Sequence, residues 1–188
     1  KKISKIQSEI DQKLKEVYSK LNPWQTTLVA RHEDRPKSKF FIDNLFKEFI
    51  PLSGDRFYGE DKSVLAGFAK FEGNSVLVIG QEKGEDLDSR IKRNFGMMRP
   101  EGYRKTIRLM KLADKFKIPI IFFIDTPGAY PGVGAEERGQ AEAIAKTIEC
   151  SMELGVPTLS VIIGEGGSGG AVALSSSNKV IMLSNAIY

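Results

Sequence analysis

The sequence predicts an α/β fold: a largely parallel sheet covered on both faces by helices and preceded by a helical segment. Three observations carry this expectation. Pro119–Ile124 and Pro157–Ile163 are short runs apolar on both faces, the pattern of strands buried in a parallel sheet. Each runs into a loop and then a helical pattern, the alternation that parallel pairing requires. Ahead of them, apolar residues recur at spacings of three and four over the first fifty residues.

Taken in order, Ile3, Ile6, Ile10, Leu14, Val17 and Leu21 form one stripe of a helix stopped by Asn22-Pro23. Trp24 to Lys39 is polar and irregular. Ile42, Leu45, Phe46 and Phe49 resume the helical spacing before Pro51. Residues 1–53 therefore form a helical N-terminal extension, and residues 54–188 form the main domain. Val64–Phe71 and Ser75–Gln81 are β-prone runs around a Glu72-Gly73-Asn74 turn, and so a hairpin. Residues 82–100 are polar and glycine-containing, a long loop. Pro100 opens a helix to about Lys117, with Tyr103, Ile107, Met110, Ala113 and Phe116 on one face. After the Pro119–Ile124 strand, Asp125 to Gly132 is a rigid loop rich in proline and glycine. A helix from about Glu136 to Glu153 follows, with Ala141, Ile144, Ala145, Ile148 and Met152 inward. The Pro157–Ile163 strand leads to a glycine loop, a short helix over about 170–176, and a third strand from Val180 to Leu183. A sheet still being built at residue 183 makes a continuation past Tyr188 the expectation.

Composition narrows the class. The 188 residues are 41% apolar and 28% charged, suited to a globular core. Cys150 is the only cysteine, so no internal disulfide forms, which fits a reducing, cytoplasmic compartment. No apolar run has the length of a transmembrane span or the layout of a signal peptide. The net charge of +4 is local: Arg90 to Lys117 holds ten Lys or Arg and two acids. Such a cluster suits phosphates or an acidic partner, or it is a solvated helix face. No aromatic-rich reading motif accompanies it, so nucleic acid is not the expected main partner.

The chemistry is concentrated in Gly164-Glu-Gly-Gly-Ser-Gly-Gly-Ala-Val-Ala-Leu174, where five glycines fall within seven residues. Three readings fit. A dinucleotide fingerprint has the spacing G-x-G-x-x-G but wants an acid about twenty residues on, and Gly170 to Tyr188 contains none. A nucleophile elbow, G-x-S-x-G around Ser168, wants a histidine after the serine; the sole histidine, His32, precedes it. A P-loop lacks its Lys-Ser/Thr, and one His with one Cys makes no usual zinc shell. The third reading makes the backbone the functional group. Gly169 and Gly170 stand where a loop enters a helix, with bare N–H groups free to meet an oxygen that gains charge.

Longer motifs carry a resemblance. Arg93-Asn-Phe-Gly-Met97, Pro100-Glu-Gly-Tyr-Arg-Lys105, the run from Ile124-Asp-Thr-Pro-Gly-Ala-Tyr-Pro-Gly132 through Gln140, and Gly164–Ala171 resemble the carboxyltransferase α subunit family of bacterial-type, multisubunit acetyl-CoA carboxylase. Trp24-Gln25, Ala30-Arg31-His32 and Gly54-Asp55-Arg56 extend it over nearly the whole chain. The resemblance implies a crotonase-like superhelix of ββα units behind an N-terminal helical extension. It implies transfer of a carboxyl group from carboxybiotin to acetyl-CoA, giving malonyl-CoA for fatty-acid synthesis. It implies no cofactor on this chain, a β subunit that carries zinc, an α2β2 heterotetramer, a biotin carboxyl carrier protein, and a biotin carboxylase that uses ATP. Gly169 and Gly170 match the family's amide pair, expected at the biotin carbonyl. Arg104, Gly128, Ala129, Tyr130, Gly132, Gly166 and Gly167 are the expected substrate-binding positions. Another crotonase-like acyl-CoA enzyme, or a partner-binding subunit without catalytic groups, are the alternatives.

Overall fold

The computed structural model describes residues 2–188. Helix α1 (Lys2–Tyr18) forms as its periodicity predicts, but none of its residues is buried. Its stripe, from Ile3 to Val17, faces outward rather than into a core. Helix α2 (Pro23–Ala30) lies in a stretch expected to be irregular. Its start is fixed by Asn22 and Gln25, each side chain accepting from the other's backbone N–H, with Pro23 in the first turn.

Helix α3 (Ser38–Leu45) ends before the expected Phe49, and Lys47–Pro51 is strand β1. Phe46 and Phe49 continue the spacing by coincidence. β1 pairs antiparallel with β2 (Val64–Phe71), so part of the expected helical extension joins the sheet. β2 and β3 (Asn74–Gln81) form the predicted hairpin, in unbroken register from Val64↔Gln81 to Phe71↔Asn74.

The expected long loop after β3 holds α4 (Leu87–Lys92), capped by Asp86 and Ser89, and a 3-10 turn at Asn94–Gly96. Helix α5 (Pro100–Lys115) starts at its proline and buries Tyr103, Leu109, Met110 and Ala113 completely. Phe116, expected on that inner face, lies past the helix end and is exposed. β4 (Ile120–Thr126) leads through a loop to α6 (Val133–Glu136). Gly139, at φ 79°, breaks the expected continuous helix before α7 (Gln140–Glu153). The inward side of α7 is Ala143, Thr147 and Cys150. Ile144 and Ile148 pack at its margin, whereas Ala141, Ala145 and Met152 face out. A buried threonine inside the stripe hid this register, because Thr147 Oγ1 is satisfied by the Ala143 carbonyl at 2.8 Å.

β5 (Thr158–Gly166), α8 (Ser168–Ser175) and β6 (Lys179–Met182) complete the described chain. The six strands lie in sequence order; β1, β2 and β3 are antiparallel neighbours, and β3 through β6 are parallel. Alternation splits the core. Leu77, Ile79, Ile120, Phe122 and Ile124 face α5, α7 and α8. Val76, Val78, Phe123, Val161 and Ile163 face α3 through Ile42 and Phe46. The parallel strands thus deliver the ends of β4 and β5 side by side on the same edge, where open α/β sheets place their ligands.

Candidate active site

β5 does not stop where the glycines begin. It runs through Gly164, Glu165 and Gly166, so the first half of the glycine motif is strand, not loop. A Cβ on Gly164 would lie 2.5 Å from Asp125 Oδ1, and that same oxygen accepts from the Glu165 N–H at 3.0 Å. Gly166 is held on both sides. It pairs with Thr126 across the sheet, and its N–H donates to the Ile187 carbonyl at 2.8 Å. The turn into α8 is therefore Gly167 alone, whose N–H donates to the Thr126 carbonyl at 2.8 Å.

The β4 loop meets this turn backbone to backbone. Thr126 Oγ1 donates to the Gly128 carbonyl at 2.7 Å and accepts from the Gly128 N–H at 3.2 Å, which closes the Thr-Pro-Gly turn on itself. A Cβ at Gly167 would collide with the Pro127 carbonyl, and one at Gly170 would lie 2.6 Å from the Gly128 carbonyl carbon and 2.8 Å from the Ala129 nitrogen. Glycine here is the condition for the two loops to touch. Gly128, Ala129, Gly166, Gly167 and Gly170 thus form one backbone-built wall. A Cβ on Gly169 would meet only the Ile144 side chain, in ordinary van der Waals contact at 3.8 Å.

The amides of Ser168, Gly169 and Gly170 have no acceptor among the described residues; the first N–H of α8 to find one is Ala171, on the Gly167 carbonyl at 3.1 Å. They are the unpaired donors of a helix N-terminus and carry the positive end of its dipole. Ser168 occupies a left-handed conformation, φ 52°, and is exposed. That is elbow-like geometry for a serine, but His32 lies just past the end of α2, its Nδ1 accepting from the Asp34 N–H at 3.2 Å. No hydrogen bond links it to Ser168 among the described residues.

Tyr130 and Gly132 lie farther along the β4 loop. The Tyr130 N–H donates to the Met98 carbonyl at 3.0 Å, its ring lies under the Arg99 guanidinium at 4.5 Å, and Gln140 Nε2 bridges the Met98 and Tyr130 carbonyls. Gly132 packs against the Tyr130 ring. Arg104 is not drawn into this group. Its Nη2 donates to the Arg138 carbonyl at 2.6 Å, its Nε is 3.9 Å from Asp55, and it stacks over Phe57.

Three side chains hold the wall in place, of which the motifs include only Arg31, and without a site role. Buried Gln81 donates through Nε2 to the Gly170 carbonyl at 2.9 Å and accepts from the Asp125 N–H at 3.2 Å, tying the β4 and β5 loops together. Lys83 reaches Asp125 at 2.7 Å and Glu165 at 3.2 Å. Arg31, the residue that caps the end of α2, also grips Glu165, with Nε at 2.8 Å. Burial pushes the Glu165 carboxyl up, but hydrogen bonds from Arg31 and Lys83 and their charges outweigh it and hold it below the usual glutamate range. A lone glutamine ending an apolar strand and a lysine after it give no sequence signal.

Fold and site together define a crotonase-like α/β domain with a row of unpaired main-chain amides at the end of β5. Comparison with known proteins makes the class specific. Residues 1–188 match the family described as acetyl co-enzyme A carboxylase carboxyltransferase-like. The chain is 83% identical over 188 residues to the acetyl-coenzyme A carboxylase carboxyl transferase subunit alpha of Pelagibacter ubique, covering all of this chain and 51% of that protein. It is 56% identical over 186 residues to the same subunit of Rhodopseudomonas palustris strain HaA2, covering 99% of this chain and 58% of that protein. Among solved structures, transcarboxylase 12S with hydrolysed methylmalonyl-coenzyme A is similar at a TM-score of 0.68 and 19% identity, over 83% of this chain and 29% of that one. The β subunit of Pseudomonas aeruginosa geranyl-CoA carboxylase is similar at 0.56 and 23%, over 68% and 21%. The chain belongs to the acetyl-CoA carboxylase carboxyltransferase family, and it spans about half the length of the curated relatives it matches.

Proposed function

We infer that the protein is the α half of a carboxyltransferase that moves a carboxyl group from carboxybiotin, carried on a separate protein, to acetyl-CoA, giving malonyl-CoA. The observation that carries this reading is the row of unpaired amides at Ser168, Gly169 and Gly170, on a helix start that the Gly128–Gly170 contact holds rigid. Carboxyl transfer places negative charge on a ureido oxygen and on a thioester oxygen. Fixed N–H donors stabilise such charge without reorganising, and loss of one donor in a site of this kind costs about 2.7–4 kcal/mol.

The chain's own residues divide the work. The amides of Gly169 and Gly170 receive the ureido oxygen of the biotin group, which supplies the transferable carboxyl when bound. Gly128, Ala129, Gly166 and Gly167 form the wall against which it lies, and Tyr130 and Gly132 shape the approach. A second amide pair for the thioester belongs to a β subunit, which in this reading carries the zinc and completes an α2β2 assembly. No helix among the described residues is long and apolar enough to cross a membrane.

The test is reconstitution. The full-length protein mixed with a carboxyltransferase β subunit forms malonyl-CoA from acetyl-CoA and a carboxybiotin donor, whereas either partner alone does not. Turnover by this protein alone would overturn the shared-site reading.

A further inference from the structure

A cleft of about 220 Å³ lies between α2, the segment leading into α3, and the β4 and β5 ends, with Glu165 in its lining. Five basic side chains line it, Arg31, Arg35, Lys37, Lys83 and Arg90, against two carboxylates, Asp125 and Glu165. Those two carboxylates are already committed. Asp125 and Glu165 share Lys83, and Glu165 also holds Arg31.

The remaining three cations have no carboxylate partner among the described residues. Arg35 donates to the Ile163 and Ser184 carbonyls, at 2.7 and 3.1 Å. Lys37, buried, donates to the Arg35 carbonyl at 3.0 Å and to that of Glu33. Arg90 reaches only the Gly84 and Glu33 carbonyls, both at 3.4 Å. Glu82, a further carboxylate whose charge acts on Lys37, is occupied by the N–H groups of Lys39 at 2.7 Å and Gly84 at 2.8 Å. Burial, with Arg90 and Lys83 adding like charge, pushes the Lys37 ammonium below its usual range.

Like charges gathered in a cleft and tethered by neutral carbonyls raise each other's energy, and an anion placed among them relieves it. Guanidinium groups match the oxygens of a phosphate in pairs. The apolar wall is also unusual. Phe95 holds φ 54° next to Asn94 at φ 49°, a conformation costly for a bulky side chain, and the residue is 43% exposed. Pro127 belongs to the same lining.

We propose that this cleft is a phosphate-binding site, in which Arg35, Lys37 and Arg90 hold a diphosphate group while Phe95 and Pro127 form a flat wall beside it. The site does not depend on the transfer reaction, and it stands or falls on binding alone.

Calorimetric titration of the full-length protein at low ionic strength tests it, with inorganic pyrophosphate and ADP as probes. Saturable binding of either probe is expected, weakened about tenfold or more in Arg90→Ala and in Lys37→Met, the scale of one lost charge-assisted bond. Lys146→Ala, which removes an exposed cation on α7, leaves it unchanged. Tighter binding of ADP than of pyrophosphate supports the site with the nucleotide as its natural source; equal binding supports it with free diphosphate as the source. Should Lys37→Met not fold, Arg90→Ala at the rim decides. Absence of saturable binding to the unaltered protein, or unchanged affinity in Arg90→Ala, overturns the proposal.

Discussion

Gly170 and Gly128 touch through their backbones, so closely that a methyl group on Gly170 would lie 2.6 Å from the Gly128 carbonyl carbon. One residue earlier, Gly169 has ordinary van der Waals room. The two glycines of the amide row therefore do different things, and they respond differently to the same substitution.

Gly170→Ala forces the β4 loop away from α8 and destabilises the fold by about 1–3 kcal/mol, the usual cost of overpacking. For a domain of this size that lowers Tm by about 2–4 °C per kcal/mol. Gly169→Ala leaves Tm within a degree or two. Thermal unfolding of the two variants side by side checks this, and equal shifts would remove the distinction.

Ser168 holds φ 52°, which costs a non-glycine residue about 1–2 kcal/mol. Ser168→Gly relieves that strain, offset in part by the greater freedom of the unfolded chain. The variant is expected to be at least as stable as the parent in urea titration. A clear loss of stability would show that the hydroxyl holds the turn.

Glu165 gives a pH signature. Its folded pKa is depressed, so its contribution is fully present above the ordinary glutamate value, about 4.3, and is lost as pH falls through the folded pKa. Glu165→Gln removes that contribution at every pH. The stability gap between parent and variant is therefore largest near neutrality and closes below about pH 4. A gap that stays constant from pH 7 to pH 3 contradicts the ion-pair account of Arg31, Lys83 and Glu165.

Arg104 spends its guanidinium on the Arg138 carbonyl and Asp55. Arg104→Lys loses the fork and part of the stacking on Phe57, and a fall in stability of about 1 kcal/mol is expected. The KM for acetyl-CoA is expected to stay unchanged. A raised KM at unchanged Tm would support the substrate-binding role expected for Arg104 from the sequence.

Much of this architecture is written in the chain, and its gaps have physical causes. β4, β5 and the β2–β3 hairpin are legible because runs apolar on both faces, or bounded by Glu72-Gly73-Asn74, have few other solutions. β1 is not, since Phe46 and Phe49 keep a helical spacing across a helix end. α2 was hidden because eight residues with one Asn-Pro start give too little periodicity, although the Asn22–Gln25 capping box was a readable signal. At the site, Gly167 and Gly170 are visible as glycines, but their reason lies in Pro127 and Gly128, forty residues away in sequence. Gln81, which ties those loops together, carries no motif.

The central claim is that the amide row of α8, not the Ser168 hydroxyl, does the chemistry. Carboxyl transfer to acetyl-CoA by the reconstituted protein, compared between Gly169→Val and Ser168→Ala, tests it most directly. Gly169 has room for a Cβ, which would meet the Ile144 side chain at 3.8 Å rather than Gly128, so valine is expected to block the approach to the amides while the fold is kept. The account predicts a loss of at least about tenfold for Gly169→Val, roughly 1.4 kcal/mol of transition-state stabilisation, at near-normal Tm, with Ser168→Ala close to the parent. An inactive Ser168→Ala beside an active Gly169→Val would contradict it and make Ser168 the nucleophile.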